Sequence, residues 1–162
     1  DPEVLGQVYD LYSPGLFRYA YRLLGEEQLA EECVSETFSR YLTMLRANRG
    51  AETNLRAYLY RIAHNWITDS YRKHSPTITE LDEDVPDFQT ERLEIQAENR
   101  LEQQKIRSAL ACLTPDQRQV IMLRFIEGWE NKEVAAALKK PVSAIKALQH
   151  RAIVMIRKMV NA

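Results

Sequence analysis

The sequence predicts an all-α protein made of two small helical domains joined by an acidic linker, and three observations carry the prediction. Apolar residues recur at the helical spacing i, i+3, i+4 over most of the chain, and no stretch alternates with the period of two that a half-buried strand needs. Gly and Pro number only 5 and 6 in 162 residues and are scattered. One segment, 74–90, breaks the pattern: it holds Pro76, Pro86, several acids and no apolar period. All eight tyrosines precede it, so the halves differ in composition as well as in pattern. The expected boundaries are 1–73 for the first domain, 74–104 for the linker and the helix it runs into, and 105–162 for the second domain.

Predicted helices cover 3–12, 14–24, 27–46, 54–73, 91–112, 115–127, 131–138 and 143–160. Helix 27–46 has an apolar face of Ala30, Val34, Thr37, Phe38, Tyr41 and Leu45, opposite a polar stripe of Glu32, Ser35, Glu36, Ser39 and Thr43. Such a stripe is suited to docking on a basic partner helix. A polar loop, Ala47–Thr53, follows and contains Gly50. Helix 54–73 is expected to bury Leu55, Tyr58, Leu59, Ile62 and Trp66. Its other side would then expose Arg56, Tyr60, Arg61, His64, Thr68, Tyr71 and Arg72. Cations interleaved with flat rings match what single-stranded DNA needs: charge for phosphates and surfaces for unstacked bases.

The second half opens with Thr114-Pro115-Asp116, a cap, a first-turn proline and an acid at the positive helix end. Val120, Ile121, Leu123 and Phe125 then form an apolar face with Arg124 at its edge, and Gly128 ends the helix. A short helix with Ala135, Ala136 and Ala137 allows close crossing, and Lys139–Val142 is the turn. In the last helix Ile145, Leu148, Ala152, Met155, Ile156 and Met159 share one face. Ser143, Lys146, Ala147, His150, Arg151, Arg157 and Lys158 share the opposite arc. This is a helix-turn-helix whose last helix can lie in a major groove, its N-terminal residues toward base edges and its cations toward phosphates.

Charge supports that reading. The formal net charge is −1, but it divides into −1 over 1–73, −7 over 74–104 and +7 over 105–162. No acid follows Glu133, whereas six Lys and Arg do, and such a basic block suits an anionic partner, nucleic acid first. With 45% hydrophobic and 28% charged residues the chain can bury a core, and disorder throughout is excluded. No apolar run approaches the length of a membrane span, and no signal peptide is visible. The first residue is Asp1 rather than Met, so the native start is expected to be missing. Cys33 and Cys112 suit a reduced cytoplasmic protein. Neither cysteine has metal-ligand spacing to a histidine, and no phosphate-binding glycine loop is present. No metal, cofactor, small-molecule substrate or catalysis is therefore expected.

Several segments, in order, carry a family resemblance. Leu16-Phe17-Arg18-Tyr19-Ala20-Tyr21-Arg22-Leu23-Leu24-Gly25 comes first, then Ala30–Phe38, then Ala57–Asn65 with Asp69 and Arg72. Last come Leu113-Thr114-Pro115 through Phe125, Glu133-Val134-Ala135, Pro141-Val142, Lys146 and His150-Arg151-Ala152. Together they resemble a sigma factor of bacterial RNA polymerase, of the two-domain extracytoplasmic-function (ECF) group. The resemblance implies that the first domain is a region 2 bundle and the second a region 4 helix-turn-helix. It implies docking on the polymerase β′ clamp helices through Glu32, Ser35, Glu36, Ser39 and Arg40, with the β subunit as a further contact. It implies recognition of an unpaired −10 element by Asn48, Arg49, Arg56, Tyr60, Arg61, His64, Asn65 and Arg72, with a flipped base held in the Ala47–Thr53 loop. It implies recognition of a duplex −35 element by Lys132, Ser143, Ala144, Lys146, Ala147, His150 and Arg151. The linker would run near the RNA exit path. Control by an anti-sigma factor is implied, with the chain in the cytoplasm and held at the inner membrane face when that partner is membrane-bound.

The sequence departs from the family pattern at Leu29, Ser35, Glu130, Lys139 and the pair Ala147-Leu148. Lys139 stands where the turn usually has glycine, and Leu148 lies on the apolar face where a DNA contact is customary. Two other readings fit part of the chain: a dimeric helix-turn-helix regulator, and a sigma-like adaptor that titrates an anti-sigma factor.

Overall fold

The computed structural model describes residues 2–47, 54–73 and 90–161, with side chains from Asn99 onward in the last stretch. Seven α-helices and one π-helical turn make up the described residues: α1 Pro2–Leu24, α2 Glu27–Arg46, α3 Leu55–Lys73, α4 Thr90–Ala111, α5 Pro115–Ile121, the π turn Met122–Ile126, α6 Asn131–Leu138 and α7 Val142–Val160. The Asn48 and Arg49 positions, most of the Ala47–Thr53 loop and the acidic linker over 74–89 lie outside the described residues.

The first domain packs α1, α2 and α3 against one another. α1 runs unbroken through Pro14, where two helices were expected. A mid-helix proline costs roughly 3 kcal/mol. That cost is offset by four side chains in the rest of the helix, Leu16, Tyr19, Ala20 and Leu23, all fully buried. Gly15 permits the approach of α3, since a Cβ there would stand 2.6 Å from the Tyr60 hydroxyl. In α2 the buried face is Ala30, Cys33, Val34, Thr37, Phe38 and Tyr41, as the periodicity requires, whereas Leu45 is exposed near the helix end. Burial pushes the Cys33 thiol up to about 12. Asn54 accepts from the Ala57 N–H at 3.0 Å and so caps α3.

α1 ends at Gly25, which holds φ +74°. Arg107 of α4 lies directly over this glycine and donates from Nε to the Arg22 carbonyl at 3.2 Å. α4 is thereby tied to the first domain. Cys112 is exposed just past α4.

The second domain is built on the Thr114 capping box, in which the Gln117 N–H donates to Thr114 Oγ1 and the Thr114 N–H to Gln117 Oε1. The helix predicted over 115–127 changes to a π turn at Met122, with the Glu127 N–H reaching back to the Met122 carbonyl at 2.9 Å. The wider turn shifts the helical register. Met122 and Leu123 enter the core, while Phe125, expected on the apolar face, is 56% exposed. Gly128, at φ +75°, then turns the chain so that Trp129 is buried. Lys139 takes the left-handed turn despite its Cβ, at φ 54° and ψ 46°. α5 and α7 pack on each other, Ile145 and Ala152 are fully buried, and Leu148 packs on the same core; Met155, expected there too, is 41% exposed.

Candidate nucleic-acid interface

α7 carries the first candidate surface. Ser143, Lys146, His150 and Arg151 are exposed on the side opposite Ile145 and Ala152, and Ala144 and Ala147 lie half-buried beside them. Lys132 of α6 is exposed as well. A 2.6 Å hydrogen bond from Gln149 Nε2 to Asn131 Oδ1 ties α7 to the start of α6 and fixes the angle between the two helices. The arrangement offers a cationic helix face with small residues near its N-terminal end, the shape that enters a major groove.

α2 carries the second. Glu32, Ser35, Ser39 and Arg40 are exposed, Glu36 is half-buried, and Arg40 pairs with Glu36 at 3.2 Å along the helix. Ser35 and Ser39 also edge a groove of about 670 Å³ between α1 and α2, whose floor includes Tyr9, Phe17, Val34 and Phe38.

α3 differs from expectation. Its cationic and aromatic stripe is expected to face solvent, and the part of it formed by Arg56, Tyr60 and His64 is covered by the second domain. Tyr60 is 5% and His64 2% exposed. The Tyr60 ring stands edge-on to Trp129 at 5.0 Å and to Tyr19 at 5.3 Å. Arg56 pairs with Glu133 and lays its guanidinium over the Trp129 ring, 4.0 Å from the centroid. His64 accepts from the Tyr19 hydroxyl at Nδ1 (2.7 Å) and donates from Nε2 to the Pro115 carbonyl (2.9 Å). Burial, and then the charge of Arg118, lower its pKa from 6.5 to about 3, so the ring is neutral. Asn65 and Arg72 remain exposed, Arg72 beside Asp69 at 3.7 Å, and Arg61 is half-buried with its guanidinium 5.5 Å from the Tyr58 ring. Leu55, Tyr58 and Trp66, expected in the core, are only partly buried. The first domain thus turns Tyr60 and His64 inward and leaves Asn65 and Arg72 toward solvent.

The residues that cover it had no signal in the sequence. Arg118 and Gln119 are buried polar side chains of α5. Gln119 Nε2 donates to the Tyr60 carbonyl at 3.4 Å. Arg118 donates to Thr68 Oγ1 at 3.1 Å and to the Leu113 carbonyl at 3.4 Å, and stacks on Tyr71 at 4.4 Å, while its Nε has no partner. Glu127 meets Arg22 at 3.2 Å. Trp129 is one tryptophan after a glycine, and only the π turn and Gly128 direct it toward α3. Among the described residues no cluster of His, Cys, Asp or Glu could hold a metal ion, and no helix is long and apolar enough to cross a membrane.

The described residues thus form two helical domains, the second a helix-turn-helix whose last helix carries a basic, exposed face. The chain matches the Sigma-70 region 2 family over residues 8–77 and the Sigma-70 region 4 family over 103–156. It belongs to the ECF group of the sigma-70 family. It is similar to the ECF RNA polymerase sigma factor BldN of Streptomyces coelicolor, at 30% identity over 94% of this chain and 59% of that protein. It is also similar to the ECF RNA polymerase sigma factor SigX of Bacillus subtilis, at 29% identity over 96% of this chain and 83% of that protein. The fold is that of CnrH, solved in complex with the cytosolic domain of CnrY (TM-score 0.68, 24% identity, 99% of this chain and 90% of that chain). It is also that of the sigma factor RpoE solved with the anti-sigma factor NepR from Bartonella quintana (TM-score 0.61, 22% identity, 97% of this chain and 96% of that chain).

Proposed function

We propose that the chain is an alternative sigma factor that binds core RNA polymerase and directs initiation at promoters with a −10 and a −35 element. The observation that carries the reading is the exposed set Ser143, Lys146, His150 and Arg151 on a helix-turn-helix, in a chain whose other domain belongs to sigma region 2. In this reading α7 and Lys132 contact the −35 duplex through phosphates and base edges. Asn48, Arg49, Arg56, Tyr60, Arg61, His64, Asn65 and Arg72 handle the unpaired −10 strand, stacking at about 1–3 kcal/mol per base. Glu32, Ser35, Glu36, Ser39 and Arg40 dock on the clamp helices of β′, and the α1–α2 groove beside them offers an apolar seat. The working domains are 1–73 and 105–162.

Regulation by an anti-sigma factor is part of the proposal, supported by the bound anti-sigma factor in the RpoE structure. The role is non-catalytic and cytoplasmic. In vitro transcription with core polymerase across a pooled promoter library tests the reading. Transcripts that require the chain and share a two-part upstream element establish it. Binding to core polymerase or to an anti-sigma protein without any dependent transcript overturns it in favour of an adaptor.

A further inference from the structure

The α3 surface assigned to the melted strand is the surface on which the second domain sits. We propose that the chain closes on itself, with α5, α6 and Trp129 forming a built-in cover that keeps single-stranded DNA off Arg56, Tyr60 and His64 while leaving α7 open to duplex DNA. The inference rests on the strand-binding reading of α3.

Each covered group is engaged in a way that a nucleotide would have to displace. A base cannot reach Tyr60 while the residue is buried and Trp129 of the second domain packs against its ring with 5.0 Å between centroids. A phosphate cannot take Arg56 while Glu133 and the Trp129 face hold the guanidinium. Both ring nitrogens of His64 are used, one by a backbone carbonyl of the second domain. Strand binding and closure therefore compete for the same atoms. None of this touches the recognition helix, whose Lys146, His150 and Arg151 stay exposed in the closed chain.

The cover is also built to come off. Its ion pairs, Arg56–Glu133 and Arg22–Glu127, involve partly exposed groups and hold weakly. At its centre is the Arg118 guanidinium, which receives hydroxyl and carbonyl acceptors and a tyrosine face but leaves one nitrogen unpartnered. A buried cation of this kind is held at a cost that opening relieves, because water then solvates it. Glu133 serves twice: one carboxylate oxygen accepts from the Glu130 N–H at the start of α6 and the other meets Arg56. The cover is thus fastened through the cap of the helix that leads into the turn.

The test uses the full chain in a Trp66→Phe background, so that Trp129 is its sole tryptophan. Glu133→Arg turns the latch into a repulsion with Arg56; Glu102→Arg, on exposed α4, is the charge-matched control. Emission of Trp129 reads closure. Anisotropy with a fluorescein-labelled single-stranded oligonucleotide of about 20 nucleotides, and with its duplex, reads binding. In Glu133→Arg, Trp129 emission is expected to shift to the red. Strand affinity is expected to rise by the inverse of the open fraction, on the order of fivefold over parent and control, with little change for duplex. Gln119→Arg forces a charge into the same interface as a second route to opening, and circular dichroism confirms that each variant is folded.

Solvent-exposed Trp129 in the parent overturns the proposal. So do two folded variants that leave Trp129 shielded and strand binding unchanged. Exposure of Trp129 without a gain in strand binding also overturns it, and transcription then separates two causes. If core polymerase still initiates with the chain, only the cover is wrong; if it does not, the sigma reading falls as well.

Discussion

His64 Nε2 lies 2.9 Å from the carbonyl oxygen of Pro115, so a side chain of the first domain hydrogen-bonds the first turn of a second-domain helix. That bond can be made in either protonation state, but the bond that the Tyr19 hydroxyl donates to Nδ1 from the other side requires a neutral ring. The groups facing the imidazole are Tyr19, the Pro115 carbonyl and Arg118, whose charge opposes protonation. In the closed chain burial, and then the charge of Arg118, lower a histidine of ordinary pKa 6.5 to about 3.

The sign follows from proton uptake: the open form binds a proton that the closed form excludes. The contribution to closure is fully present near neutral pH and is lost as acidification protonates the open form, by at most about 1.4 kcal/mol for each pH unit. Titration of Trp129 emission from pH 7.5 to 5 should show opening on the acid side. His64→Gln should flatten the curve, and an unchanged curve would remove His64 from the account.

Arg118 gives the second prediction. Replacing a whole buried ion pair by apolar side chains is often neutral or stabilising by about 1–4 kcal/mol, and Arg118 carries the desolvation cost of a buried charge with neutral acceptors as its hydrogen-bond partners. Arg118→Met should leave the melting temperature equal or higher and reduce single-strand binding by favouring closure. A melting temperature lowered by several degrees would show that the bonds to Thr68 and Leu113 outweigh the desolvation.

Lys139 gives the third. A residue with a Cβ pays about 1–2 kcal/mol in the left-handed region. Glycine avoids that penalty but loses more chain entropy on folding. Lys139→Gly should raise stability by a net of about 0.5–1 kcal/mol, read as a denaturant midpoint shift at constant slope. A loss of stability would mean that other contacts of Lys139 matter more than its backbone strain.

The recognition helix gives the fourth. If Lys146 contacts a phosphate, Lys146→Ala should weaken duplex binding for all sequences alike and reduce the slope of log affinity against log salt by about 1. An unchanged slope would place Lys146 away from the backbone.

Much of the fold was legible from local signals. The Thr114 cap, the Gly128 stop, the α7 faces and the buried stripe of α2 all follow from chemistry within a turn or two of chain. Errors arose where distant packing outweighed a local rule. Pro14 predicts a break, yet α1 continues because Leu16, Tyr19, Ala20 and Leu23 after it are fully buried. The spacing puts Phe125 on the apolar face, yet one π turn moves it out and brings Met122 in.

The sequence by itself determined an all-helical chain, its two-part order and the kinds of side chain on each helix face, because helical periodicity and capping are short-range. Only the tertiary structure decided which faces meet water. Arg56, Tyr60 and His64 have the composition of an exposed nucleic-acid stripe, and a helical wheel places them on the side away from Leu59 and Ile62. They are covered because Arg118, Gln119, Trp129 and Glu133, more than 50 residues away, supply a second partner surface. An amphipathic pattern reports that a helix has two faces; how many of them are buried depends on what the rest of the chain brings to them.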